Sequence, residues 1–440
     1  MTTEKVLYPL KKVVKRSPLL QRAYSWGELS LGRVQLSRGR PFSAIDHFCK
    51  ASRSVGADTP SRRKARMHLR SFFCPNGNGG PAMEPREDFL RSPYAAALRS
   101  RFLPQAFPLN ITFRGNLLPL KAYNPNTGEK GVLILTYNYL FQAFHALFRS
   151  AELSRFYWMV LEPSYYRFED PGYSLFREWQ VLLQAGNPVT IEAFQALGSP
   201  FHFVPLTSSD WTDSDLFRPL PDQNKIYDLI YVANWAKYKQ HELLFRALTK
   251  IRRPLRVALV GFSWERTRQQ IESLIQSYGL TGRFDIVENV PPAEVNRLLN
   301  QSRVNLLLSR LEAGNRALYE AMFADLPSVA YRHCEGLNCA SINEQTGILA
   351  DERDLSEAIL AALDRLDTFS PRAWALENTG YLRSTRIMNE RLREISLQQA
   401  EPWETSIVAK VNRPEFKYKN PEDATRLTPV LDHLRQFVRQ

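Results

Sequence analysis

Residues 304–332 read VNLLLSRLEAGNRALYEAMFADLPSVAYR. The run opens on a short apolar stretch, VNLLLS, that has the length and composition of a buried strand rather than a helix. A loop containing Gly314 follows, then RALYEAMFADL, in which apolar residues recur at helical spacing, and Pro327 leads into a second apolar run, PSVAYR. Strand, loop, helix and strand within 29 residues make a βαβ unit, and such a unit requires a parallel sheet.

The same alternation extends upstream to Asp228. DLIYVAN reads as a strand, HELLFRALTKI as a helix, LRVALVGF as a strand, RTRQQIESLIQSYGL as a helix, FDIVENV as a strand and AEVNRLLNQS as a helix. Residues 223–370 are therefore expected to form a Rossmann-like domain with helices on both faces of a parallel sheet and ligands at the carboxyl ends of its strands. Further upstream, GVLILTYN (131–138), FYWMVLEPS (156–164) and a run near 202–206 predict a second strand-and-helix domain over 106–222. Residues 73–105, with FCPNGNGGPAMEPR at their start, read as a linker. Residues 1–72 form a helical amino-terminal segment in which 22–53 have the packing offsets of a single tetratricopeptide-like hairpin, and 371–440 form a helical tail. The predicted fold class is α/β, with two Rossmann-like domains and an added helical segment.

The chain has 440 residues, 44% hydrophobic and 12% aromatic, which excludes wholesale disorder and calls for more than one core. Its 58 Lys and Arg exceed 45 Asp and Glu by 13, and residues 1–70 alone hold 16 basic against 4 acidic residues. Charge confined to one end points to an anionic surface. Val6, Leu7, Leu10, Val13 and Val14 interleave with Lys5, Lys11, Lys12, Lys15 and Arg16, a pattern that favours an anionic membrane surface and disfavours nucleic acid. No apolar run reaches the length of a membrane span, and Pro9 and Pro18 interrupt what would be the core of a secretory signal. Cys49, Cys74, Cys334 and Cys339 make neither a disulfide framework nor a CxxC pair. A cytoplasmic protein, peripheral at the inner face of a membrane, is expected.

Within the second domain the strand ends carry NWAKYKQH (234–241), GFSW (261–264), ENV (288–290) and SRLEAGNR (309–316). Two of these loops are basic and run into helix N-termini, where free N–H groups and the helix dipole favour a diphosphate. The loops carry neither GxGxxG nor GxxxxGK[ST], which disfavours the usual dinucleotide fingerprint and the P-loop.

Glu312 and Glu320 have the spacing E-x7-E, preceded by a strand ending in Ser309 and followed by Ala321, Met322 and Pro327. This resembles the donor-binding segment of the GT-B-fold, family-4-type (glycosyl transferases group 1) retaining glycosyltransferases. Lys239-Gln240-His241-Glu242-Leu243-Leu244 is similar to that family's K-G-H-x-x-L loop, and Gly261, a further donor-binding candidate, follows the next strand as it does there. The resemblance covers residues 223–370 well and 110–222 in outline.

It implies two domains facing a cleft and a hexosyltransferase-like enzyme that moves a sugar from a nucleotide-diphosphate sugar to an acceptor glycan, lipid or protein. Lys239 would bind the donor diphosphate, Glu320 would accept hydrogen bonds from the ribose hydroxyls, and Glu312 would hold the transferring sugar beside the amides of Gly314 and Asn315. A lysine and a helix N-terminus stabilise charge growing on the leaving diphosphate, so neither a metal nor another cofactor is expected. Two positions depart from the family pattern: Asn234 stands where an arginine clamps the diphosphate, and Asn315-Arg316 replaces the second glycine. Arg310 or Arg316 would then supply the missing charge. With Asn234 in the clamp position, the alternative is a non-catalytic binding or scaffold protein.

Other constellations carry less. Asp213-Ser214-Asp215 matches the metal-binding DxD of a different glycosyltransferase class but reads as a loop, and His333, Cys334 and Cys339 lack a fourth zinc donor in the same run. On the acceptor side the candidates are Tyr137 and Asn138 after GVLILTYN, and Glu162 to Tyr166 after FYWMV, with Asn138 and Glu162 as the polar contacts.

Overall fold

A computed structural model describes residues 17–53, 59–73, 84–102, 116–164, 168–186, 188–198, 200–312, 314–412 and 416–439. The apolar positions from Val6 to Val14, Cys74, Tyr165 and Tyr166 lie outside the described residues. The chain divides into two compact units. The first takes residues up to 205 with 392–407 and 424–440, and the second takes 206–391 with 408–423.

The first unit begins with helices Pro18–Ser37, Pro41–Arg53 and Pro60–Phe73. The expected hairpin is present, and the third helix packs on both of its members. Gly32 lets the first two helices close, because a Cβ there would lie 2.4 Å from the Phe48 ring. The segment expected to be a linker is instead helical over Pro85–Arg91 and Pro93–Phe102, each opened by a proline whose missing N–H costs nothing in the first turn. Phe89, Ala95, Leu98 and Phe102 are buried there and hold those helices to the body.

The sheet of this unit runs in chain order, β1 (Leu117–Lys121), β2 (Gly131–Thr136), β3 (Tyr157–Glu162), β4 (Val181–Gln184) and β5 (His202–Val204). β1 pairs antiparallel with β2 and the others are parallel. Among the described residues the order never reverses, so this sheet has no internal crevice of the doubly wound kind. Helix Asn138–Leu147 packs on β2, and the amino-terminal helices pack on it and on the 3-10 turn Pro171–Phe176.

The second unit carries six parallel strands: β6 (Tyr227–Val232), β7 (Val257–Gly261), β8 (Phe284–Glu288), β9 (Ser302–Leu307), β10 (Ser328–Tyr331) and β11 (Gly347–Ala350). Their spatial order is β11-β10-β9-β6-β7-β8. β6 alternates its side chains between two cores. Leu229 and Tyr231 join the helices His241–Lys250, Arg268–Ser277 and Leu355–Asp364, while Ile230 joins Pro292–Asn300 and Arg316–Phe323. Helices thus cover both faces, as the strand and helix periods require.

The order reverses at the β6–β9 pair, since β7 and β8 step away on one side and the chain returns to β9 on the other. The loops leaving β6 and β9 therefore diverge to opposite faces and open a crevice at their carboxyl ends. The tail is more than helical: Pro371–Asn378, Tyr381–Gln398, Glu422–Arg426 and Thr428–Arg435 are joined by a short antiparallel pair, β12 (Lys410–Asn412) and β13 (Phe416–Tyr418). Among the described residues no helix is long and apolar enough to cross a membrane.

Candidate functional site

The loop after β6 is shaped by its own side chains. Asn234 Oδ1 accepts from the Ala236 N–H at 3.2 Å, which turns the chain into the 3-10 segment Lys237–Lys239. Gln240 then takes φ +53°, a left-handed conformation that a residue without a Cβ adopts most easily, and this explains the glycine in the K-G-H pattern that Gln240 replaces. Gln240 makes use of having a side chain: its Nε2 donates to the Leu308 carbonyl at 2.8 Å, across the reversal to the end of β9. The Tyr231 hydroxyl donates to the Lys239 carbonyl, and the Arg310 N–H donates to the Tyr238 carbonyl at 2.8 Å. Two loops about 70 positions apart in the chain are thereby fixed to each other.

Lys239 is delivered onto the second loop, where its Nζ lies 2.5 Å from Glu312 Oε1. Glu312 is itself anchored, its N–H donating to the Glu335 carbonyl at 2.8 Å while the Glu335 N–H donates to Arg310 at 2.9 Å. The pair is largely withdrawn from water, with 12% of the lysine side chain and 9% of the glutamate side chain exposed. In such a setting the attraction between the two charges is less screened than at an open surface.

Downstream, Gly314 is enclosed by hydroxyls, since a Cβ there would lie 2.8 Å from Ser209 Oγ and 3.2 Å from Thr207 Oγ1. Asn315, one of the departures from the family pattern, is the N-cap of helix Arg316–Phe323, its Oδ1 accepting from the Leu318 N–H at 3.0 Å. Arg316, the other departure, places Nε 3.0 Å from Glu320 Oε1 one turn on. Glu320 is buried, and burial pushes its carboxyl above the usual range while Arg316 opposes that rise. Arg316 thus stands beside Glu320, and Arg310 is exposed.

Gly261 has a packing role as well. A Cβ on it would lie 2.0 Å from the Ala233 carbonyl oxygen and 2.9 Å from the Trp235 ring, so its absence lets β7 end against the loop that carries Asn234. His241 is fully buried between Tyr231 and Trp235, with ring centroids 5.2 and 5.5 Å away, and burial lowers its pKa to about 3. It is a neutral packing ring. Cys334 lies near the Lys239–Glu312 pair, and burial first, then Glu312, push its thiol up to about 12, which keeps it protonated.

The remaining candidates have partners of their own. Asp213 Oδ1 accepts from Lys419 Nζ at 2.9 Å, and the same ammonium pairs with Asp215, so a lysine occupies the position between the two carboxylates. His333 pairs with Asp351 at 2.7 Å. Asn138 and Glu162 do come together at the ends of β2 and β3, but both are buried. Asn138 Oδ1 accepts from the Ser164 N–H at 2.9 Å and its Nδ2 donates to Tyr173, while Glu162 accepts from Gln184 at 3.2 Å. They brace the strand ends. Beside them Tyr139 is exposed and stacks on Tyr137 at 5.6 Å.

Sequence reasoning missed the bridging role of Gln240 and the lysine at 419. The first has a signal, a bulky amide in a glycine position, and the second has none nearby in the chain.

Residues 214–376 match the family model described as Glycosyl transferases group 1. Solved structures similar to this chain include HepE of Anabaena in complex with UDP and glucose, 14% identical, with a TM-score of 0.46 over 61% of this chain and 78% of that one. Sucrose-phosphate synthase of Thermosynechococcus elongatus is 18% identical, with a TM-score of 0.46 over 59% and 79%. The pneumococcal O-GlcNAc transferase GtfA, in complex with UDP and GlcNAc, is 15% identical, with a TM-score of 0.44 over 57% and 54%. No curated protein matches the chain.

Proposed function

We infer that this chain, which carries a glycosyl transferases group 1 segment over residues 214–376, transfers a sugar from a nucleotide-diphosphate donor to an acceptor with retention of anomeric configuration and without a metal. The observation that carries the reading is the ion pair between Lys239 and Glu312 at the carboxyl ends of β6 and β9, where the strand order reverses. A diphosphate entering there would take the lysine from Glu312 and free the carboxylate to accept hydroxyls of the transferring sugar. The capped N-terminus of helix Arg316–Phe323 adds N–H dipoles to the same counter-charge. Glu320, one turn along that helix, is the acceptor for the ribose hydroxyls.

The bond between the anomeric carbon and the diphosphate oxygen breaks while the acceptor oxygen bonds to the same face of that carbon. The acceptor proton passes to the leaving phosphate oxygen. For an acceptor, the exposed Tyr139 offers a ring that a sugar can reach, whereas Asn138 and Glu162 are buried, and the protein works in the cytoplasm against the inner face of a membrane.

A second reading is favoured by Asn234, whose side-chain Oδ1 is committed to a turn where the family pattern has a cation. On that reading the site binds a nucleotide sugar without turning it over. Incubation with a panel of nucleotide sugars in excess EDTA separates the two. Release of nucleotide diphosphate from one donor supports the enzyme, nucleotide binding with no release from any donor supports the binding protein, and release that requires added manganese or magnesium overturns the metal-free mechanism.

A further inference from the structure

Helix Pro18–Ser37 has two apolar faces, and the fold uses one. Ser25, Leu29 and Gly32 are buried, with Gly32 against Phe48 and the Ser25 hydroxyl bonded to Ser61 at 2.8 Å. Leu20, Tyr24, Leu31 and Val34 follow the spacing i, i+4, i+11, i+14 and so form a stripe on the far side of the helix. Each exposes between 37 and 47% of its surface. Trp26 on the same helix and Met67 on the neighbouring helix Pro60–Phe73 add exposed apolar area, and Lys64 Nζ of that second helix lies 5.2 Å from the centroid of the Trp26 ring.

The surroundings are cationic. Residues 17–73 hold 11 Lys and Arg against 3 Asp and Glu, and Arg22, Arg33, Arg38, Arg63, Lys64 and Arg70 are all exposed. This excess decides among occupants. A second copy of the chain would bring two surfaces of the same strong charge together, which opposes association. Nucleic acid would answer the cations but leave the Leu and Val stripe in water. An anionic bilayer answers both, with the apolar side chains at the acyl boundary, Trp and Tyr at headgroup level and the cations on phosphates.

We propose that the outer face of helix Pro18–Ser37, together with the exposed side of helix Pro60–Phe73, is a docking surface for anionic lipid. The helix of 20 residues lies along the surface for about 30 Å, at about 1.5 Å per residue. This surface belongs to the first unit and stands apart from the donor-site reading.

Flotation of the full chain with vesicles of phosphatidylglycerol and phosphatidylcholine, against phosphatidylcholine alone, tests it. The anionic vesicles should hold at least ten times more protein, and raising the salt should release it. Leu20→Ser, Leu31→Ser and Val34→Ser combined should lower the anionic partition at least tenfold, and Arg63→Gln with Lys64→Gln should lower it several-fold. Because the substituted side chains are exposed, circular dichroism should be unchanged. Equal flotation on neutral and anionic vesicles, no flotation on either, or a triple variant that floats like the parent would each overturn the proposal. So would a dimer in sedimentation that the triple variant dissolves while flotation stays unchanged.

Discussion

Lys239 Nζ lies 2.5 Å from Glu312 Oε1, and the two side chains reach each other from the two loops that part at the β6–β9 order reversal. Without a ligand each neutralises the other in a mostly dry setting. On the proposed function a donor diphosphate would compete with an internal carboxylate for the lysine, and affinity would reflect the difference between the two partners.

Lys239→Ala should weaken binding of a nucleoside diphosphate by about 1.5–3 kcal/mol, the range for a hydrogen bond to a charged group. Glu312→Gln should leave that affinity the same or raise it, because the competing charge is gone, while lowering turnover roughly 100-fold or more. Titration calorimetry and donor hydrolysis separate the two effects. Equal affinities for the parent and Lys239→Ala would take the lysine out of the site.

Most strands and helices of the second unit are readable because most strands are short apolar runs and each helix has one apolar stripe. β1, β4 and β11 escaped notice for local reasons. β1 contains Pro119 and pairs antiparallel with a register shift beside it, β11 opens on Gly347 and leaves Ile348 and Leu349 partly exposed, and β4 is no shorter than β10 but is set between loop residues. The candidate residues at 239, 312 and 320 are visible through motif spacing, but the pairing of Lys239 with Glu312 is not, since it depends on Gln240 reaching Leu308 from the neighbouring loop. Asn138 and Glu162 show the opposite limit: strand ends are legible, whereas the direction in which a polar side chain points is set by packing against Tyr173 and Gln184.

Glu320 supplies a pH test. Burial raises its carboxyl in the folded state, so the protonated form is favoured on folding. Its contribution to stability is full below the ordinary glutamate range and is lost as pH rises through the raised folded value. Glu320→Gln, which carries no charge, should therefore gain thermal stability relative to the parent between acidic and neutral pH, by a few degrees in Tm. The same variant should bind nucleotide more weakly. A Tm difference that does not change with pH would show that Arg316 cancels the cost of burying the charge.

Lys419→Ala removes the cation that Asp213 and Asp215 share. Asp213 has none of its side chain exposed, and losing a charged partner there should cost about 1.5–3 kcal/mol in chemical unfolding. The hydrogen bond from Lys419 is the first cause holding the Asp215 carboxyl below the usual range, so the stability it confers is present above the ordinary aspartate range and lost as pH falls through the lowered value. The variant should accordingly show a flatter decline in acid, with nucleotide affinity unchanged. A parallel decline in both proteins would mean that the pair contributes nothing.

Gly261→Ala tests whether the loop after β6 depends on its neighbour. The added Cβ would lie 2.0 Å from the Ala233 carbonyl oxygen, a backbone atom that cannot swing aside as a side chain would. Trp235 cannot yield easily either, because its Nε1 donates to Glu288 at 2.7 Å and its N–H donates to the Phe262 carbonyl at 3.0 Å. The strand end must therefore move, at about 1–3 kcal/mol for overpacking of this kind. Movement of Ala233 shifts Asn234, and with it the turn that delivers Lys239 to Glu312. The expected result is a lower Tm together with weaker nucleoside diphosphate binding. A variant that loses stability while keeping full affinity would mean that the Lys239 loop is held from the β9 side alone, through Gln240 and Arg310.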